Sequence, residues 1–177
     1  MCSSDLERLF VFPDLVLLGF SDVREALVIP GEKVGLSYDD AAVKAVYEAT
    51  GGYPYFVQVY GQILCNGLTK TPLPFTITLS YVKEKYSEYI KHLDNSFYKI
   101  RFNNRSMLEQ EFLFAMASLS LPCQTNEIAH ILNKTNKQIA PTLAKLKAKG
   151  IIANENGLNF TVPGFTEYLK RIQNSFT

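Results

Sequence analysis

The sequence predicts a mainly α-helical chain of two modules, a helical bundle followed by a winged helix-turn-helix with a small β-hairpin wing. Apolar stripes at helical spacing run through Ala42, Val46 and Ala49, and again through Phe56, Val57, Tyr60, Ile63 and Leu64. After Ser106 three short capped helical patterns follow one another, and Asn154-Glu155-Asn156-Gly157 then lies between two apolar runs as a hairpin signal. Helix, helix, helix, hairpin is the winged-helix order.

Ser21 is read as the cap of a short first helix through Leu27, which stops before Pro30-Gly31. Ser37 opens the next, with Asp39 and Asp40 suited to its positive dipole end. That helix runs into Thr50, breaks at Gly51-Gly52, and a second restarts through Tyr53 and Pro54; proline is tolerated there because a first-turn N–H has no intrahelical partner. Thr71 to Pro74 reads as a loop, and Thr78 caps a helix to about Leu93, along which Tyr81, Tyr86 and Tyr89 pack. Phe97, Tyr98, Ile100 and Phe102 make the joint between modules a packed one. Ser106 and Glu109 form a capping box ahead of Leu108, Phe112, Ala115 and Leu119. Thr125 caps a helix with Ile128, Ile131 and Leu132 inward, and Thr135 caps a third with Ile139, Leu143 and Leu146 inward, ended by Gly150. The expected boundaries are 1–18 for a strand or connector, 19–95 for the helical domain and 96–177 for the winged helix.

Composition narrows the function classes. An apolar share of 47% and a charged share of 20% are those of an ordinary globular chain. The longest unbroken apolar run, Phe112 to Ala117, is far short of a membrane span, and Met1 to Asp5 lacks a signal pattern. Cys2, Cys65 and Cys123 form no C-x-x-C pair, so neither a disulfide framework nor a zinc site is expected, and a cytoplasmic location is. Residues 1–100 carry nine Lys/Arg against twelve Asp/Glu, a net of −3; residues 101–177 carry nine against five, a net of +4. The split suggests two units with different partners.

No catalytic constellation assembles. His92 and His130 each have one carboxylate a helical turn back, Glu88 and Glu127, which suits surface hydrogen bonds and falls short of a metal site. No catalytic residue and no metal ligand is therefore expected, and no cofactor in this chain. One surface could bind. Lys134, Lys137, Lys145 and Lys149 lie off the apolar stripe of the third winged-helix segment, where lysines could meet phosphates while Gln138 and Thr142 reach base edges. Against DNA stand Pro141 inside that helix, Glu155 at the wing tip and the lack of any arginine on the helix. A lysine face on a winged helix that binds protein is the competing expectation.

Four segments carry a family resemblance: Glu7-Arg8-Leu9-Phe10, Thr50 to Gln58, Phe97 to Phe102, and Phe160 to Phe165. In that order the chain resembles the C-terminal lid plus winged-helix region of bacterial and archaeal AAA/STAND-like, origin-recognition-type ATP-binding proteins. The resemblance implies that Gly52, Tyr53 and Pro54 lie near nucleotide, and that residues 1–18 are the remnant of an upstream ATPase core in the same polypeptide. It also implies that ATP and magnesium belong to a longer parent, because the 177 residues contain no G-x-x-x-x-G-K-S/T. Many lids of this kind present an arginine to the γ-phosphate, yet Tyr53 to Leu64 contains no Arg or Lys, which favours switching over fast hydrolysis. The same corner also suits a plain turn between helices. The expected function is thus the regulatory or effector portion of such an ATPase, not catalytic alone. The alternatives are a winged-helix DNA-binding regulator and a protein-interaction module using Phe97, Tyr98 and Phe102 or the Leu9 to Phe12 segment.

Overall fold

The computed structural model of the chain describes residues 16–68 and 71–174. It is mainly α-helical, with a two-stranded parallel pair and a C-terminal antiparallel hairpin. Two compact units divide the chain, one ending at Tyr86 and the other beginning at Ser87. The expected connector over residues 1–18, with its Glu7 to Phe10 and Leu9 to Phe12 segments, lies outside the described residues up to position 15; Val16 to Gly19 is extended and irregular.

The first unit begins with α1, Phe20–Glu32. Its cap is Gly19, whose N–H donates to the Asp22 carboxylate at 3.0 Å, in place of the expected Ser21. The helix also runs through Pro30 instead of stopping short of it. Val23, Leu27 and Gly31 are spaced four apart and all buried, and Gly31 lies close against Tyr38 and Leu36. Tertiary packing of that stripe outweighs the local cost of a proline.

Strand β1, Leu36–Tyr38, pairs in parallel with β2, Phe75–Ile77, in the register Leu36 with Phe75 and Tyr38 with Ile77. Neither strand was expected. Ser37, read as a helix cap, instead shares a 2.9 Å hydroxyl hydrogen bond with Thr76 across the pair. The cap of α2, Asp40–Thr50, falls to Asp39, whose carboxylate accepts the Ala42 N–H. Helix α3, Pro54–Asn66, buries Phe56, Val57, Tyr60, Ile63 and Leu64 as their spacing predicts. Helix α4, Leu79–Leu93, starts at Thr78, which accepts the Tyr81 N–H at 3.4 Å. Two hydroxyls tie α3 to α4: Tyr60 donates to the Val82 carbonyl at 2.7 Å, and Tyr81 to that of Leu64 at 3.1 Å.

In the second unit α4 passes into a π turn, Asp94–Tyr98, and then α5, Lys99–Asn103. Helix α6, Met107–Ala117, packs against three others: α7, Thr125–Ile131; α8, Asn136–Ala148; and α9, Phe165–Asn174. That surround explains why the longest apolar run sits here: Phe112 and Met116 share one face, Leu113 lies about 100° round the helix, and all three are fully buried. Strands β3, Ile152–Asn154, and β4, Leu158–Phe160, form the hairpin, with Ile152 opposite Phe160. Cys123 adds a bridge at its edge, exchanging hydrogen bonds of 3.1 and 2.8 Å with Leu158.

The joint aromatics are packed, as their density predicts. Tyr98 and Phe102 are buried; the Tyr98 ring stacks on Tyr168 at 5.3 Å, and its hydroxyl donates to the Pro163 carbonyl at 2.7 Å. Helix α9 was not among the expected elements, although Phe165, Tyr168, Leu169 and Ile172 recur at helical spacing; it is held by Arg171, whose fork meets the Asp94 carboxylate at 2.6 and 2.9 Å. Two inward positions differ from expectation: Leu108 and Ile131 are exposed.

Candidate functional site

Two surfaces hold the residues singled out from sequence, one in each unit. The first is the corner between α2 and α3. Gly51 and Gly52 take the left-handed conformation, with φ of 58° and 70°, and Pro54 occupies the first turn of α3. The extended arm Val16–Gly19 crosses this corner, its Leu18 N–H donating to the Gly52 carbonyl at 2.8 Å. A Cβ on Gly52 would collide with the Leu18 carbonyl oxygen, so this glycine is required both by its backbone and by its neighbour.

The corner's donors are already engaged. Gly51 N–H bonds to the Tyr47 carbonyl at 2.9 Å, Tyr53 N–H to that of Thr50 at 3.1 Å, and Gly52 N–H to the Thr50 hydroxyl at 3.4 Å. The buried Thr50 hydroxyl in turn donates to Val46 at 2.8 Å. A phosphate cradle needs free, convergent N–H groups, so these residues do not fit a phosphate-binding loop. What the corner offers outward is apolar: Val16 and Leu17 of the arm are exposed, as is Tyr55, while Tyr53 is buried against Phe56 with ring centroids 4.6 Å apart.

The second surface is the start and outer face of α8. The turn before it reverses at Asn133, a non-glycine residue with φ of 51°, closed by the Lys134 N–H donating to the Ala129 carbonyl at 2.9 Å. Thr135 caps α8 reciprocally with Gln138: the Thr135 hydroxyl accepts the Gln138 N–H at 3.4 Å, and the Gln138 carbonyl oxygen accepts the Thr135 N–H at 2.7 Å. Gln138 is therefore folded back on its own helix. Pro141 sits within α8 without ending it.

The lysines divide into two sets. Lys149 reaches the Glu109 carboxylate at 2.7 Å and Lys134 reaches Glu111 at 3.5 Å. Lys137 and Lys145 are exposed and form no ion pair among the described residues. Glu109 is only 3% exposed. Burial opposes its ionisation, but the Lys149 amine and the Ser106 N–H, at 2.8 Å, outweigh burial and hold its carboxyl below the ordinary range. One carboxylate thus closes the α6 cap and clasps the end of α8. The Ser-x-x-Glu spacing made the cap legible, whereas the pairing with a lysine forty residues on had no local signal.

Between α6 and α8 lies a half-open groove of about 200 Å³. Phe112 and Ile139 form its floor, Leu108 and Leu132 its apolar sides, and Lys134, Gln138 and Thr142 its polar edge. Three residues expected to touch DNA therefore border an apolar depression.

Elsewhere chemistry is sparse. Among the described residues no three His, Cys, Asp or Glu side chains come together as a metal site. Glu127, read as a partner of His130, accepts the Gln124 N–H at 2.6 Å and so starts α7, in place of the expected Thr125 cap. Burial, and then the Glu127 carboxylate, push the Cys123 thiol up, which suppresses its thiolate. No helix among the described residues is long and apolar enough to cross a membrane.

A family model described as a domain of unknown function (DUF8462) matches residues 95–169, a stretch that ends within α9. A search of curated proteins finds no match. Among solved structures a point mutant of RuvB from Thermotoga maritima matches at 16% identity and a TM-score of 0.40, over 95% of this chain and 54% of that one. The chain spans about half the length of that protein.

Proposed function

We propose that the chain is the lid and effector portion of an AAA/STAND-type ATPase, regulatory and not catalytic by itself. The observation that carries this reading is the α2–α3 corner with the arm hydrogen-bonded across it. Leu18 and Gly52 are joined by a 2.8 Å bond and a contact that leaves no room for a side chain, so a pull on the arm is felt at the start of α3. In this reading ATP and magnesium are held by an upstream core in the same polypeptide. Gly52 and Tyr53 are buried with their N–H groups spent, so in this reading the corner would meet that core through Pro54 and the residues around it. The exposed Val16, Leu17 and Tyr55 suit such a covered face.

The deciding experiment reads the native transcript upstream of Met1 and weighs the native protein. An open frame of roughly 150–250 further residues containing G-x-x-x-x-G-K-S/T supports the proposal. A stop immediately before Met1, or ATP turnover by the 177-residue chain, ends it.

For the winged helix, a protein partner is favoured over duplex DNA. Lys134 and Lys149 already face carboxylates and Gln138 serves its own cap, leaving Lys137, Lys145 and Lys147 as the α8 cations for phosphate. Three phosphate contacts give a salt slope of only about −2.7 in log affinity against log salt. A measured slope steeper than about −4 in duplex titrations would restore the DNA reading.

A further inference from the structure

The groove between α6 and α8 combines three properties that seldom coincide on a solvated surface. It is apolar and exposed: Leu108, 57% accessible, lines it together with Leu132, and Met107, its neighbour in the chain but outside the lining, is 78% accessible. At about 200 Å³ it exceeds the ~150 Å³ cavity known to hold a benzene ring, which is room for one bulky apolar side chain. Its margins are cationic. Lys134 edges it, and Lys145 follows Gln138 and Thr142 on the same helical face at intervals of four and three residues. Lys137 is exposed beside Gln138. The acidic groups placed nearest by sequence, Glu109 and Glu111, each face a lysine already. The excess charge left at the rim is positive.

We propose that this groove docks a short acidic segment of a protein partner, a Leu-, Ile-, Met- or Phe-type side chain entering between Leu108 and Leu132 while flanking Asp or Glu side chains meet Lys145 and Lys137. The inference rests on the protein-docking reading of the winged helix and names the chemistry of its partner. Charge complementarity selects this occupant over duplex DNA. A phosphate backbone laid on the same lysines would desolvate Leu108 against a polyanion and leave the depression unfilled. Affinity from a seated apolar anchor with screened charges at the rim depends strongly on the anchor and weakly on each charge.

The test uses the full 177-residue chain, isotopically labelled, titrated with a set of fluorescein-tagged hexapeptides. Each peptide has Leu, Ile, Met or Phe paired at its centre and two Asp or Glu on either side; controls replace the acids with Lys. A 20-base-pair duplex is run in parallel. The expected result is saturable binding of acidic peptides alone, with amide shifts centred on Leu108, Leu132 and Thr142. Leu108→Asp, at an exposed position, weakens binding by at least about tenfold, and Lys145→Glu by about three- to fivefold. Unchanged thermal melts keep these losses from reflecting unfolding. If no acidic peptide binds at millimolar concentration, the inference is overturned. Peptide binding that ignores Leu108→Asp overturns the groove while leaving a protein partner standing. Duplex binding that shifts the same amides, or self-association abolished by Leu108→Asp, replaces the acidic peptide with DNA or with a second copy of the chain.

Discussion

Gly52 in the first unit and Gly150 in the second adopt nearly the same backbone, with φ of 70° and 62°, in opposite surroundings. A Cβ on Gly52 would meet the Leu18 backbone, whereas one on Gly150 would meet open space. The contrast separates two reasons for a glycine. At Gly150 the need is only conformational, because α8 ends there in a left-handed turn. At Gly52 a second segment of chain has taken the place of the side chain. The corner is therefore a coupling point, and the end of α8 is a stop.

That comparison makes the largest prediction. Gly150→Ala bears the left-handed penalty alone, about 1–2 kcal/mol. Gly52→Ala bears the same penalty and must also displace Leu18, for about 3 kcal/mol or more. Urea denaturation of the two variants checks the difference, and equal losses would mean that the arm contributes nothing at the corner. The Leu18 amide should also exchange with deuterium far faster in Gly52→Ala than in Gly150→Ala.

Helices α3 and α6 differ as well in how they begin. Helix α3 starts with no side-chain cap, relying on backbone turns and Pro54, while α6 starts on the reciprocal Ser106–Glu109 pair that Lys149 completes. The second arrangement is sensitive to charge. Lys149→Met leaves a 3% exposed carboxylate without its cation, and a cost of about 1–3 kcal/mol is expected, between exposed and fully buried ion pairs. The pH dependence has a definite sign. The folded-state pKa of Glu109 is depressed, so its contribution is fully present above the unfolded value, about 4.3, and is lost as pH falls through the folded value. The stability advantage of the native protein over Glu109→Gln should shrink as urea midpoints are taken from pH 6 down to pH 3. An advantage that instead grows with acid would show that burial governs this carboxyl.

Local signals were the legible part of this sequence. The Gly51–Pro54 corner, the Ser106 and Thr135 caps, the Gly150 stop and the hairpin all depend on residues within a few positions of one another. Apart from the Gly19 and Gln124 helix starts, most of what escaped was non-local. Strand β1 is three residues long and finds its partner about forty residues later, so Ser37 reads as a cap until Thr76 is beside it. The Cys123 edge strand consists of one bridge. Helix α9 is the exception, since its stripe of Phe165, Tyr168 and Leu169 is a local pattern at helical spacing. Pro30 misled because the burial of Val23, Leu27 and Gly31 is a tertiary fact. At the candidate sites the same division holds. Sequence placed lysines off the α8 core stripe, but which of them carry free charge was decided by Glu109 and Glu111, two residues apart on α6.

The smallest effect distinguishes most sharply between the two uses of α8. Gln138 is exposed, as a base-reading residue should be, yet its side-chain oxygen is 2.7 Å from the Thr135 N–H at the helix start. As a capping group it stabilises the fold, and Gln138→Ala should lower stability by about 0.5–1 kcal/mol, the ordinary value of such a cap. As a reader of bases it would leave stability unchanged and cost about 1–3 kcal/mol of discrimination at one base pair. Thr135→Ala supplies the internal standard, since it breaks the reciprocal half of the same pair. If the two substitutions cost alike and the double variant costs little more than either, the residues act as one cap. The Gln138 oxygen is then spent on the cap, so the side chain cannot make the paired oxygen-and-nitrogen contact by which an amide reads adenine, and α8 keeps Lys137, Lys145 and Lys147 as its exposed cations without an ion pair among the described residues.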